Sequence, residues 1–136
     1  MTWTELAPKI EEALRVTGYV NSVYEGDVYD VWNNTNVQYV SACYDEVSHP
    51  KGDTDSLETY NVIVYVADRL TEDASNSRYA RDFARAVLKG AVAMLRRSVL
   101  AVDYTDLTPF VQKFADNLGG YYTTLTIQTA DTLDNC

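Results

Sequence analysis

The sequence predicts an α+β fold, a mainly antiparallel sheet packed by an N-terminal helix and one long helix. Two periodicities carry that expectation. Apolar residues recur at helical spacing near the start (Leu6, Ile10, Ala13, Leu14) and again across residues 75–97 (Ala80, Phe83, Ala84, Val87, Leu88, Ala91, Leu95, with Ser98 continuing the stripe). Between them, "LETYNVIVYVAD" alternates as a strand. Length adds a bound: 136 residues and 15.3 kDa suit one core, with roughly two-thirds of the unfolded surface buried on folding. Residues 1–136 therefore read as a single domain.

Two starts compete for the first helix. Thr2 and Glu5 have capping-box spacing, whereas Pro8 favours a start that puts it in the first turn. Gly18 suits the left-handed position after the helix end. From Tyr19 to Trp32, Val and Tyr surround "EGD", which predicts two short strands about a turn. "NNTN" (33–36) is a turn signal, and "VQYVSACYDEV" reads as a strand with Val40, Ala42 and Tyr44 on one face and Val37, Tyr39 and Cys43 on the other. The Pro/Gly/Asp-rich loop 48–56 is the most exposed-looking segment and the expected site of mobility before assembly.

In the next strand Tyr60, Val62, Val64 and Val66 line one face, while Ile63 and Tyr65 make the other apolar too, so both faces should be covered. Ser75 is the expected N-cap of the long helix, with Glu72 and Asp73 beside its positive end and Arg96 and Arg97 at the other. For residues 108–118, Phe110, Phe114 and Leu118 fit a helix, but Phe110, Gln112 and Phe114 also fit a strand face. "YYTTLTIQT" is strand-like, with Gly119 and Gly120 as a turn before it and a frayed tail after it.

Charge is segregated. The net charge is −9, yet Arg69, Arg78, Arg81, Arg85, Lys89, Arg96 and Arg97 are seven of the eleven basic residues. With only Glu72, Asp73 and Asp82 among them, that segment carries +4 and the remainder −13. The stripe is either the solvated face of an amphipathic helix or a surface that meets the acidic body of a neighbouring copy. Tyr65, Asp68, Arg69, Arg78, Arg81, Arg85 and Lys89 are the candidate subunit-interface residues. Tight wrapping of nucleic acid is opposed by the overall acidity.

Chemical motifs are sparse. There is no phosphate loop or nucleophile elbow. Glu46 and His49 have Glu-x-x-His spacing but stand at a strand end with the single histidine, and Asp53–Asp55 lacks the rest of a calcium loop. No catalytic, metal-binding or cofactor-binding residue is expected, and an enzyme is disfavoured because no acid–base pair emerges. Cys43 and Cys136 are expected to stay unbridged in a reducing compartment. Asn33–Thr35 is a sequon, relevant only on secretion. With no signal-like start and no apolar run near 20 residues, synthesis as a soluble cytoplasmic protein is expected.

"YNVIVYVADRLTEDASN" and "PFVQKFADNLGGYYTTLTI", with this order of elements, resemble the ring-forming neck and tail-completion proteins of tailed bacteriophages, the tail terminator-like group, and most the version in crAss-like phages of Bacteroidales. The resemblance implies a homo-oligomeric connector ring in the virion, between portal complex and tail. Genomic DNA would pass through it without sequence-specific binding, and Phe110–Ile127 would form a β-hairpin. It implies neighbouring neck and tail proteins as partners, with no membrane and no small-molecule substrate. A non-ring phage binding module, either an assembly chaperone or an acidic inhibitor, is the alternative.

Overall fold

Thr2 decides where the first helix begins. Its side chain accepts from the Glu5 backbone N–H while the Glu5 carboxylate accepts from the Thr2 N–H, so α1 spans Trp3–Arg15 and Pro8 lies inside it. The proline forfeits one helical hydrogen bond. Reciprocal capping and a buried face of Leu6, Ala7, Ile10, Ala13 and Leu14 offset that loss. Gly18 follows with φ +81°, as expected of a residue past a helix end.

The computed structural model describes residues 1–34, 36–50 and 57–130. Thr35 of the sequon, the 51–56 part of the exposed loop with its Asp53–Asp55 pair, and the 131–136 tail with Cys136 lie outside the described residues. After α1 come β1 (Ser22–Glu25), α2 (Val28–Trp32), β2 (Ser41–Ser48), β3 (Leu57–Arg69), α3 (Ser77–Leu95), β4 (Ala101–Tyr104), β5 (Thr108–Lys113) and β6 (Asn117–Ala130). Among the described residues the fold is α+β with one mixed six-stranded sheet. Its order is β1-β2-β3-β6, with β5 and β4 both on the far side of β6. Only β1 and β2 run parallel; the other pairings are antiparallel.

The strand from 57 to 69 is central, as its two apolar faces predict. Tyr60, Val62, Val64 and Val66 turn to a core shared with Leu6, Ile10 and Leu14 of α1 and Ala84, Leu88 and Leu95 of α3. The opposite face carries a second cluster of Val28, Trp32, Cys43, Ala67, Phe114 and Leu118, against which Tyr65 and Phe110 pack. Trp32 is fully buried there, and its indole N–H donates to the Ser41 hydroxyl at 3.1 Å.

Five expectations are corrected, the last of them in the hairpin. The second strand predicted within residues 19–32 is α2, because the Asp27 carboxylate accepts from the Tyr29 N–H at 2.8 Å and Val28 and Trp32 bury on one side. The strand predicted from Val37 starts only at Ser41. Ser75 does not cap α3: the N-cap is Asn76, which makes no side-chain cap bond. Phe83, counted on the buried stripe, is 42% exposed.

The hairpin expected over 110–127 is present as β5 paired with β6, but Gly119 and Gly120 are not its turn. Both lie within β6, and the chain reverses between Lys113 and Asn117. Gly120 is required by proximity: a Cβ there would sit 1.9 Å from the Val66 carbonyl oxygen and 2.8 Å from the Ala67 Cα. Phe110, its register partner on β5, supplies an aromatic ring beside the gap on the second face. At Gly119 the same addition would meet only the flexible Leu70 side chain, at 2.9 Å. Gly120→Ala should therefore force β3 and β6 apart and cost several kcal/mol, on the order of 3 or more. Gly119→Ala should cost clearly less. Paired urea unfolding curves check the ranking, and equal midpoints would refute it.

Candidate subunit interface

Helical phase sorts the α3 surface into two rows. Arg78, Asp82, Arg85 and Lys89 recur at i, i+4, i+7 and i+11 and form one stripe; all are exposed. Beside it run Tyr79, 68% exposed, and Phe83, whose ring meets Tyr19 with centroids 5.5 Å apart. Tyr19 is itself 52% exposed. Isolated exposed aromatics are ordinary, but three that adjoin one cationic row form a patch. Sequence reading had found the cations and missed the aromatics; the i, i+4 relation of Tyr79 and Phe83 was the available signal.

The cations differ in what they are tied to. Arg85 pairs with Asp82 at 3.2 Å, within the helix. Arg81 stands at the margin of the buried face, half-buried, with an enclosed Nε that has no hydrogen-bond partner. Among the described residues, Arg78 and Lys89 form no ion pair.

The remaining candidates lie elsewhere. Tyr65 is on the sheet face opposite α3, stacked on Tyr122 at 5.1 Å and edge-on to Trp32 at 6.1 Å. Burial raises its phenol, with Tyr122 and Tyr29 adding. Asp68 and Arg69 end β3, but their side chains do not pair. The Arg69 guanidinium reaches Asp116 at 3.3 Å and lies 5.5 Å from the Tyr39 ring centroid. Asp68 accepts from the Arg69 backbone N–H. The seven candidates are thus divided between the two sides of the sheet.

A hydrogen-bonded hinge joins β3 to α3. Asn76 donates to the Arg69 carbonyl and accepts from the Thr71 N–H, each at 2.9 Å, which explains why its side chain is unavailable as a helix cap. Asp73 accepts from the Thr71 hydroxyl and the Ser75 N–H, and these bonds hold its carboxyl below the ordinary range. The hinge is a fixed corner that aims α3 back across the sheet.

On the second face a cavity of about 200 Å³ opens between the Gly26–Tyr29 segment, β2 and β3. Asp27, Tyr29, Cys43, Asp45, Ile63 and Tyr65 are among its lining residues. Cys43 is 1% exposed and its thiol donates to the Gly26 carbonyl at 3.2 Å. Burial, reinforced by Asp45 and Asp27, pushes that thiol up to about 12, so it is inert at neutral pH. Of the other chemistry-bearing groups, His49 lies against the Tyr60 ring at 4.5 Å. Among the described residues no three His, Cys, Asp or Glu side chains are placed to hold a metal, and no helix is long and apolar enough to cross a membrane.

No family model and no curated protein matches the chain.

Two outcomes follow. Asn76→Ala removes both hinge bonds and should cost about 1–3 kcal/mol, while Ser75→Ala should cost less; thermal midpoints compare them. At alkaline pH, burial holds the Tyr39 and Tyr60 phenols up to about 12, against about 10 when unfolded. Their contribution to stability is therefore complete below about pH 10 and lost as pH rises towards 12. Denaturation midpoints measured across that window should fall, together with late tyrosinate absorbance.

Proposed function

We propose that this chain is a structural virion protein, a subunit of a homo-oligomeric ring in the neck or tail region of a tailed bacteriophage. The ring joins the portal complex to the tail and lines the DNA passage, and it works by assembly rather than catalysis. One observation carries the reading: an exposed, mainly cationic row on α3 beside Tyr79 and Phe83, with Tyr19 packed on Phe83, in a chain of net charge −9. Aromatic rings are favoured at protein interfaces, and complementary charge steers and registers the contact.

Two further features are consistent with it. The α+β architecture and the β5–β6 hairpin agree with the shape implied by the tail terminator-like resemblance. An acidic body repels phosphates, so DNA would slide past without releasing counterions and sticking. Its neighbours in the virion would be portal, neck and tail proteins.

Light scattering of the purified chain and negative-stain imaging of virions test the reading. Rings in solution, or the chain's presence in the neck or tail of particles, are expected. A strict monomer missing from virions would defeat it and return the chain to the chaperone or inhibitor class. Reversal of the exposed Arg85 and Lys89 to Glu should leave the thermal midpoint within a few degrees and prevent assembly; unchanged assembly would make them solvated-face residues only.

A further inference from the structure

The cavity on the second sheet face has an unusual lining for its size. Tyr29, Tyr65, Asp27 and Asp45 all line it, and among the described residues no cation does. Tyr29 is 54% exposed, so one wall stands open to an approaching group. At about 200 Å³ it is smaller than most small-molecule sites, which run to roughly 300–1,000 Å³. Aromatic faces with carboxylates beside them suit a guanidinium, which stacks on rings and presents hydrogen-bond donors in its own plane.

A donor of that chemistry exists on the same chain, on the wrong side of the sheet. Arg78 is exposed, forms no ion pair among the described residues, and adjoins the exposed Tyr79. Because α3 packs against the opposite face, Arg78 cannot enter the cavity of its own subunit. We infer that the α3 face of one copy docks on the second sheet face of the next, with Arg78 inserted between Tyr29 and Tyr65 against Asp27 and Asp45. The inference rests on the ring reading and names its subunit contact. The interface is heterologous, since the two surfaces that meet are different.

Asp45 is the better acceptor to alter, because Asp27 also caps α2 whereas among the described residues Asp45 accepts only from the neighbouring Glu46 N–H. Sedimentation equilibrium of the full chain should show concentration-dependent association that weakens with salt. Arg78→Glu and Asp45→Lys, each checked for an unchanged thermal midpoint, should each weaken it at least tenfold. Asp45→Asn serves if the lysine variant does not fold.

Mixing the two variants is decisive. With Asp45→Asn as the cavity variant, so that no lysine can attract the glutamate introduced at position 78, one retains an intact cavity and the other an intact helix, and together they should form a one-to-one dimer that cannot extend. Association of either folded variant at wild-type strength would overturn the contact, as would a mixture that stays monomeric. So would a wild-type chain that stays monomeric at its highest soluble concentration. Binding of an arginine-bearing peptide to that monomer would assign the cavity to a foreign partner and equally overturn the self-contact. The ring reading is judged separately, by whether the chain is present in purified virions.

Discussion

The pairing of β3 with β6 is the constraint on which the remainder depends. Register runs unbroken from Leu57 opposite Ala130 to Arg69 opposite Leu118, and it joins the middle of the sequence to its end. At Ala67 opposite Gly120 the two backbones come so close that only glycine fits. A slip of one residue would turn Val62, Val64 and Val66 away from the helices and place a side chain where none can stand. The ladder therefore fixes both which face receives α1 and α3 and where the β5–β6 hairpin brings Phe110 and Phe114.

Each face of that ladder is then covered by a different kind of layer. On one side aliphatic residues from two helices fill the core. On the other, the five-residue α2 and the hairpin bring Trp32, Phe110 and Phe114 against Tyr65 and Tyr122. A short helix leaves part of a sheet uncovered, and the cavity beside Tyr29 forms at that margin. The long helix has the converse effect. It buries one stripe completely and leaves a full row of cations and aromatics facing outward.

Much of the fold was legible because its strongest signals are local. Strict alternation identified β3, and apolar spacing identified α1 and α3. The segments that misled are those whose state is set from a distance. Residues 28–32 are rich in Val and Tyr and look like strand, yet the Asp27 cap and a pocket for Trp32 make them helical. β4 left no pattern, since Val102 is its only buried residue. Phe110, Phe114 and Leu118 fitted a helix while Phe110, Gln112 and Phe114 fitted a strand face, and only the resemblance favoured the hairpin. For the interface, the cations of α3 could be counted in the sequence. The cavity could not, because Asp27, Asp45 and Tyr65 come from three separate segments brought together by the sheet.

That division bears on how such a chain can associate. A basic row and an acidic, aromatic hollow on the same face could neutralise each other within one molecule or in a closed two-fold pair. Here they lie on opposite sides of one sheet, so neither can be satisfied internally. Any contact between them leaves a free helix at one end and a free hollow at the other. Such a contact would propagate, and the rotation per contact would decide between a closed ring and an open filament. The rigid corner from Arg69 to Asn76 matters for that reason. It sets the angle at which α3 crosses the sheet, and hence the angle that each added copy would inherit.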